Sequence, residues 1–172
     1  NITDRSIYRY FATKADLVLE TALLFWSEAM AQVDAQAHME LDGDICGADC
    51  ILSILQGYAN LYFTHRQMLI FVHEAEAYLN RSGKALLVEN KPPAPFEQSA
   101  GPLSSAIHKG IADGSVRTDI DLPSLYYNTY DALLGLIQKL AIGGRNNTAD
   151  DEYASIRLEQ FCTMMEGFYR KR

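Results

Sequence analysis

Basic and aromatic side chains near the start of the chain have the spacing of a helix that reads DNA. Arg5, Tyr8 and Arg9 occupy positions i, i+3 and i+4, which places them on one face of a helix, and Thr3 is its expected N-cap. Guanidinium groups can reach base edges or phosphates in a major groove, and a phenol can donate a hydrogen bond to a phosphate. An ordinary solvated surface helix has the same pattern, so the spacing alone leaves both interpretations open.

A second helix is expected to begin immediately afterwards and to run from Lys14 to about residue 38. Thr13 is its predicted N-cap, with Asp16 three residues later in the first turn. Lys14 lies in that turn, where its side chain and backbone N–H groups could hold one phosphate. An apolar stripe that includes Leu24 is predicted to face the core. Such a helix could link a DNA-reading end to the rest of the chain mechanically.

The exact order of residues 6–17 adds to this pattern. The tetracycline-repressor (TetR) family of transcription regulators ends its helix-turn-helix with a string that this chain resembles: Ser6-Ile7-Tyr8-Arg9-Tyr10-Phe11, then Lys14 and Asp16-Leu17. There a small residue, an aliphatic residue, Tyr, a variable residue and two aromatics precede Lys and Asp/Glu-Leu. Residues 110–119 resemble a second family element, a Gly-Ile-x-x-Gly-x-hydrophobic-Arg-x-Asp turn between two helices near the C-terminus.

The resemblance implies an all-α, TetR-like fold in three parts. Residues 1–13 would be the remnant of the recognition helix, residues 14–38 the connecting helix, and residues 39–172 a helical domain that binds an effector and dimerises. Only two residues precede Thr3, where the family has two further helices. The chain is therefore expected to be truncated and to bind DNA poorly by itself.

The resemblance also implies a cytoplasmic, ligand-responsive regulator, usually a repressor, that binds operator DNA as a homodimer. By motif position, Tyr8 and Lys14 are expected to contact phosphates, and their neighbours to lie near bases or backbone. The expected DNA-binding residues are Thr3, Arg5, Ser6, Tyr8, Arg9, Tyr10 and Lys14. Arg9 occupies a variable position of the motif, so the operator sequence stays open.

Beyond this region the apolar residues recur at helical intervals, and no segment alternates long enough to predict a strand. The predicted helices cover approximately residues 44–64, 66–80, 96–113 with a restart at 101–102, 122–142 and 151–169. We expect Asp44 and Asp121 to lie at helix starts and Gly114 to end a helix in the left-handed conformation. The prediction is an all-α protein.

Aromatic side chains with polar tips are frequent in the predicted helices, as in small-molecule pockets between helices. The expected effector pocket consists of Phe25, Trp26, Tyr58, Tyr62, Phe71, Glu74, Tyr78 and Tyr130. Most of these residues would also be buried in the core of any helical fold. The expected effector is a small hydrophobic or aromatic molecule, and Glu74 facing the pocket would favour a cationic one.

The last two predicted helices are apolar on more than one side. This predicts that one side packs inward and the other meets a partner, which the resemblance implies to be a second copy. The expected dimer interface is formed by Leu125, Thr129, Leu133, Leu136, Leu140, Ile156, Gln160, Met164 and Phe168. A helical interaction module without DNA binding is the alternative function, because exposed apolar helices would equally serve a protein partner.

Composition favours a globular, cytoplasmic protein without a membrane partner. The 172 residues carry a net charge of −7, and no apolar run is long enough to span a bilayer. The odd number of cysteines, three, argues against a secreted disulfide framework. Cys46 and Cys50, at i and i+4, could form a thiol sensor or a two-ligand metal site, although packing as small apolar residues is the simpler interpretation.

Acid–base or metal chemistry has its best candidates in His73 and Glu76, at i and i+3, with His65 and Glu74 nearby. A solvated helix face rich in His and Glu has the same pattern. The sequence contains no nucleophile motif and no phosphate-binding loop. We therefore expect no catalytic residue, metal or cofactor, and an enzyme is the more distant alternative.

Overall fold

The computed structural model of the protein describes residues 9–84, 101–144 and 148–172. Six helices form this part of the chain: α1 (Lys14–Leu41), α2 (Gly47–Thr64), α3 (Arg66–Arg81), α4 (Pro102–Asp113), α5 (Leu122–Gly143) and α6 (Thr148–Tyr169). The described residues form no strand, and Val116 and Arg170 make an isolated antiparallel bridge. The predicted all-α class is confirmed.

Helix α1 begins where the Thr13 capping motif predicts. The Thr13 N–H donates to Asp16 Oδ2 over 2.8 Å, and the Asp16 N–H donates to Thr13 Oγ1 over 3.2 Å. Each side chain therefore accepts a hydrogen bond from the backbone N–H of the other residue. The helix ends at Leu41, slightly beyond the predicted end. Leu24 is 61% exposed, so its predicted place on the buried stripe is wrong. The buried residues are mostly small: Ala15, Ala22, Phe25, Ala29, Val33 and Ala37.

Helix α2 is the centre of the fold, because it contacts all five other helices. Its inward positions recur at three- and four-residue intervals, as a helix buried along one face requires. They are Ile51, Ile54, Leu55, Tyr58 and Tyr62. Helix α3 follows after the single residue His65, whose N–H donates to Leu61 O over 2.9 Å. The predicted break at this point is confirmed.

The start of α2 lies against α4 at a pair of glycines. A Cβ added to Gly47 would lie 2.1 Å from the backbone N of Gly110, so the backbones are too close for a side chain. Asp113, at the end of α4, accepts hydrogen bonds from the N–H groups of Gly47 (2.7 Å) and Ser115 (2.8 Å). The predicted helix start at Asp44 is wrong, because the acceptor for the first N–H group of α2 comes from another helix.

The turn between α4 and α5 has the predicted geometry. Gly114 ends α4 with φ +79°, the left-handed conformation that glycine adopts without strain. Asp121 caps α5, and its Oδ1 accepts from the Ser124 N–H over 3.1 Å. Helices α5 and α6 then pack against the rest of the bundle, and the Thr129 hydroxyl lies 2.8 Å from that of Tyr169 in the interior. Within the described ranges, no helix combines the length and apolar character needed to cross a membrane.

Candidate DNA-contact end and ligand cavity

The residues predicted to contact DNA fall partly within the described structure. Thr3, Arg5, Ser6 and Tyr8 lie outside the described residues. Arg9 and Tyr10 are exposed and contact each other, with Arg9 Nη2 donating to the Tyr10 hydroxyl over 2.9 Å. Lys14 is exposed in the first turn of α1. The three described residues are therefore accessible to solvent, with Arg9 and Tyr10 just before α1 and Lys14 in its first turn.

The start of α1 is held against the end of α3 by two cationic contacts. Lys14 Nζ lies 5.6 Å from the centre of the Tyr78 ring, within the range of a cation–π interaction. Lys84 Nζ forms an ion pair with Asp16 Oδ1. The hydrogen bond from Lys84, followed by that from Thr13, lowers the pKa of the Asp16 carboxyl. A displacement of α3 would therefore also change the position of the first turn of α1.

A cavity of about 500 Å³ lies between these same two helices. Helix α1 contributes Lys14 and Val18, and α3 contributes the other walls. Three of the predicted effector residues line it: Phe71, Glu74 and Tyr78. Val18, His73 and Arg81 also line the cavity and were not predicted to do so; of these, only Arg81 lies at a helical interval, three residues, from a predicted lining residue, Tyr78.

The lining combines an apolar surface with charges of both signs. Phe71, Tyr78 and Val18 supply apolar and aromatic area, whereas Lys14 and Arg81 supply cations and Glu74 an anion. This composition suits an amphiphilic aromatic molecule whose ring lies on Phe71 and whose polar group meets a charged side chain. The lining contains one lysine and one arginine but only one carboxylate. Its charge therefore matches a ligand with an anionic group better than the cationic ligand expected from Glu74 alone.

The remaining predicted effector residues lie in or against the core rather than at this cavity. Phe25, Tyr58 and Tyr62 are 3%, 2% and 1% exposed. Trp26 and Tyr130 are half-buried, with the Trp26 ring 5.2 Å from that of Phe25. The structure thus divides the aromatic set between a surface cavity and the packed interior.

A tyrosine cluster occupies the interior between α2 and α5. The hydroxyls of Tyr58 and Tyr130 lie 2.9 Å apart, and the Tyr126 ring packs edge-on against Tyr130 with centroids 5.1 Å apart. Burial raises the pKa of Tyr58 to about 12, and it raises that of Tyr130 as well. Tyr126 was not predicted for any site, although its i, i+4 spacing from Tyr130 indicates the contact.

The residues considered for acid–base or thiol chemistry do not converge. His73 and Glu74 are exposed, and Glu76 is half-buried, with a pKa raised by burial and partly offset by His73. His65 packs near Phe25, with ring centroids 5.8 Å apart. Among the described residues, no group of three or more His, Cys, Asp or Glu side chains could hold a metal ion.

None of the three cysteines forms a disulfide. Cys46 precedes α2 and is half-buried, whereas Cys50 and Cys162 are buried. Burial raises the pKa of Cys162 to about 11, which disfavours the reactive thiolate form. Cys50 packs within the hydrophobic core, as expected for a small apolar residue.

The predicted dimer residues differ in exposure between α5 and α6. On α5, Thr129, Leu133 and Leu140 are buried inside the chain's own core, and Leu125 and Leu136 are partly buried against it. On α6, the four predicted residues are exposed: Ile156, Gln160, Met164 and Phe168. The surface open to a partner is therefore mainly that of α6. No family model, curated protein or solved structure matches the chain.

Proposed function

We propose that the protein is a cytoplasmic, DNA-binding transcription regulator that acts as a repressor. Its helical body would dimerise and bind a small amphiphilic aromatic effector. The observation that carries the proposal is the TetR-like string of residues 6–17. Its described part ends in the Thr13–Asp16 capping motif, with Lys14 exposed in the first turn of α1. An exposed lysine at a helix start, where the helix dipole favours an anion, is suited to holding a phosphate.

The cavity between α1 and α3 supports the effector part of the proposal. Lys14 belongs both to the DNA-contact end and to the cavity wall. A ligand that separates Lys14 from Tyr78 changes the position of the residue proposed to hold a phosphate. The ligand can shift DNA binding only by the difference in its affinity for the two arrangements.

DNA binding is tested with the full-length protein. Operator duplexes selected from a random pool are titrated by fluorescence anisotropy across a salt series. We expect Lys14→Ala to weaken binding to every duplex similarly and to reduce the slope of log K against log salt by about 1, because one phosphate contact is lost. Tyr8→Phe should likewise weaken all sequences to a similar extent.

Lys139→Ala is the matched control, because Lys139 is an exposed lysine on α5, away from the proposed contact. It should leave the salt slope unchanged. An effect of Lys14→Ala confined to one base position would contradict the phosphate assignment. Absence of specific binding at low salt would favour the interaction module without DNA binding, since the exposed face of α6 also suits a protein partner.

A further inference from the structure

Helix α6 presents an apolar stripe to solvent on the side opposite its buried residues. The buried apolar residues are Ala154, Leu158, Cys162, Met165 and Tyr169. The exposed stripe is formed at three- and four-residue intervals by Tyr153, Ile156, Gln160, Met164 and Gly167. The fractional exposures of Tyr153, Ile156 and Met164 are 59%, 50% and 52%. Such intervals are those at which two helices pack along a common seam.

The stripe is symmetric about Gln160 in position and complementary in size. Ile156 and Met164 lie four residues to either side of Gln160, and Tyr153 and Gly167 lie seven residues to either side. In an antiparallel pair related by a two-fold axis at Gln160, Ile156 faces Met164 and Tyr153 faces Gly167 of the second copy. The two Gln160 amides then meet on the axis, where each can donate to and accept from the other.

Gly167 has no steric role within its own chain. A Cβ added at this position meets no atom within 4 Å, although glycine destabilises a helix relative to alanine. A groove of about 720 Å³ lies beside it, with Thr163, Met164 and Phe168 on the α6 wall. The antiparallel register brings the exposed ring of Tyr153 from the second copy to this groove.

The charges at the two ends of α6 favour the same orientation. Glu152 is exposed near the start of the helix, and Lys171 and Arg172 are exposed just beyond its end. Antiparallel pairing places the acidic start of each copy beside the basic end of the other, whereas parallel pairing places like charges together. The complementary partner for this face is therefore a second copy of the same helix.

We propose that α6 pairs with α6 of a second copy in antiparallel orientation, with Gln160 on the two-fold axis and Tyr153 of each copy seated against Gly167 of the other. The inference rests on the homodimer within the proposed function and specifies its register. It requires nothing of the DNA-contact end.

Cysteine cross-linking in a Cys46→Ser background tests the register. Gln160→Cys should form a disulfide-linked dimer on mild oxidation, because the two copies of this position meet on the axis. Ile156→Cys and Met164→Cys should not cross-link alone, since each position is displaced from its own copy by about 12 Å along the helix. A mixture of these two variants should cross-link. Cross-linking by all three single variants indicates parallel pairing and overturns the proposal, as does a monomeric chain.

Gly167→Ala provides a second, independent test of the proposed contact between Tyr153 and Gly167 of the other copy. Within the monomer the change should raise the thermal midpoint by about 2–4 °C, because alanine is the better helix residue. In sedimentation velocity it should raise the dimer dissociation constant on the order of tenfold, because its methyl group occupies the seat. Gly57→Ala on α2 is the matched control and should leave dimerisation unchanged.

If Gly167→Ala leaves the dimer dissociation constant unchanged, the proposed contact between Tyr153 and Gly167 is wrong. A protein that binds operator DNA but does not cross-link at Gln160 overturns the register alone. A protein that cross-links at Gln160 and binds no DNA confirms the register and contradicts the regulator.

Discussion

The hydroxyl pair of Tyr58 and Tyr130 joins two helices through a polar contact inside an apolar core. Each hydroxyl satisfies the other at 2.9 Å, so neither incurs the penalty of an unpaired buried polar group. Ionising either phenol in this setting is unfavourable, because the resulting charge is removed from water. The pair should therefore stabilise the fold only while both phenols are neutral.

We expect the free energy of unfolding to decline above about pH 10. Burial raises the pKa of Tyr58 to about 12, compared with an ordinary value of 10.0. Because the folded-state pKa lies above the unfolded one, this stability is fully present below pH 10 and is lost as the pH rises towards 12. Each such tyrosine contributes up to about 1.4 kcal/mol per pH unit. Urea unfolding at pH 8, 10 and 11 measures the decline.

The double variant Tyr58→Phe/Tyr130→Phe should reduce this pH dependence without removing it, because burial also raises the pKa of Tyr169 to about 12 and that of Cys162 to about 11. Tyr10→Phe is the control, because Tyr10 is 72% exposed and should leave the slope unchanged. An alkaline slope identical in the double variant and the unmodified chain would show that the titration arises elsewhere.

Helix ends in this protein are set in two different ways. Those at Thr13, Gly114 and Asp121 depend on residues within a few positions of the end, and all three were predicted correctly. The start of α2 depends instead on Asp113, which is 66 positions away in the chain. A local pattern contains no information about that contact, so it indicates the nearer acidic residue, Asp44, as the helix start.

Gly47→Ala should destabilise the fold by about 2 kcal/mol or more, because its Cβ would lie 2.1 Å from the backbone of Gly110 and α2 would have to move away from α4. In Gly57→Ala the nearest atom is a flexible glutamine oxygen at 3.5 Å, so that variant should be neutral or more stable by up to about 1 kcal/mol. Urea unfolding of both variants provides the comparison. Equal stabilities would contradict the close crossing.

At the scale of the whole molecule, the proposed ligand and DNA contacts share the start of α1, whereas the proposed pairing surface is α6. The cavity includes Lys14 and Tyr78 from two helices whose relative position a ligand can change. Any coupling between ligand and DNA must be reciprocal, because each alters the affinity for the other by the same factor.

Tyr78→Ala should lower the affinity for the aromatic anion anilinonaphthalene sulfonate by roughly tenfold, because it removes an aromatic wall and the partner of Lys14. Fluorescence titration of the folded protein measures this affinity. Tyr127→Ala is the control, since Tyr127 is a half-buried tyrosine of α5 outside the cavity. Unchanged probe affinity in Tyr78→Ala would place the ligand elsewhere and would remove the support for an effector at this cavity.

The class of the fold followed from the sequence, because apolar periodicity and caps act over one or two helical turns. The same local interactions located most helices to within a few residues. They did not distinguish Tyr58 and Tyr62, which are core residues, from Phe71 and Tyr78, which line a cavity. Helix packing decided that difference, because a side chain's surroundings consist of residues far away in the chain. It also buried three of the five predicted dimer residues of α5, partly buried the other two, and left those of α6 exposed.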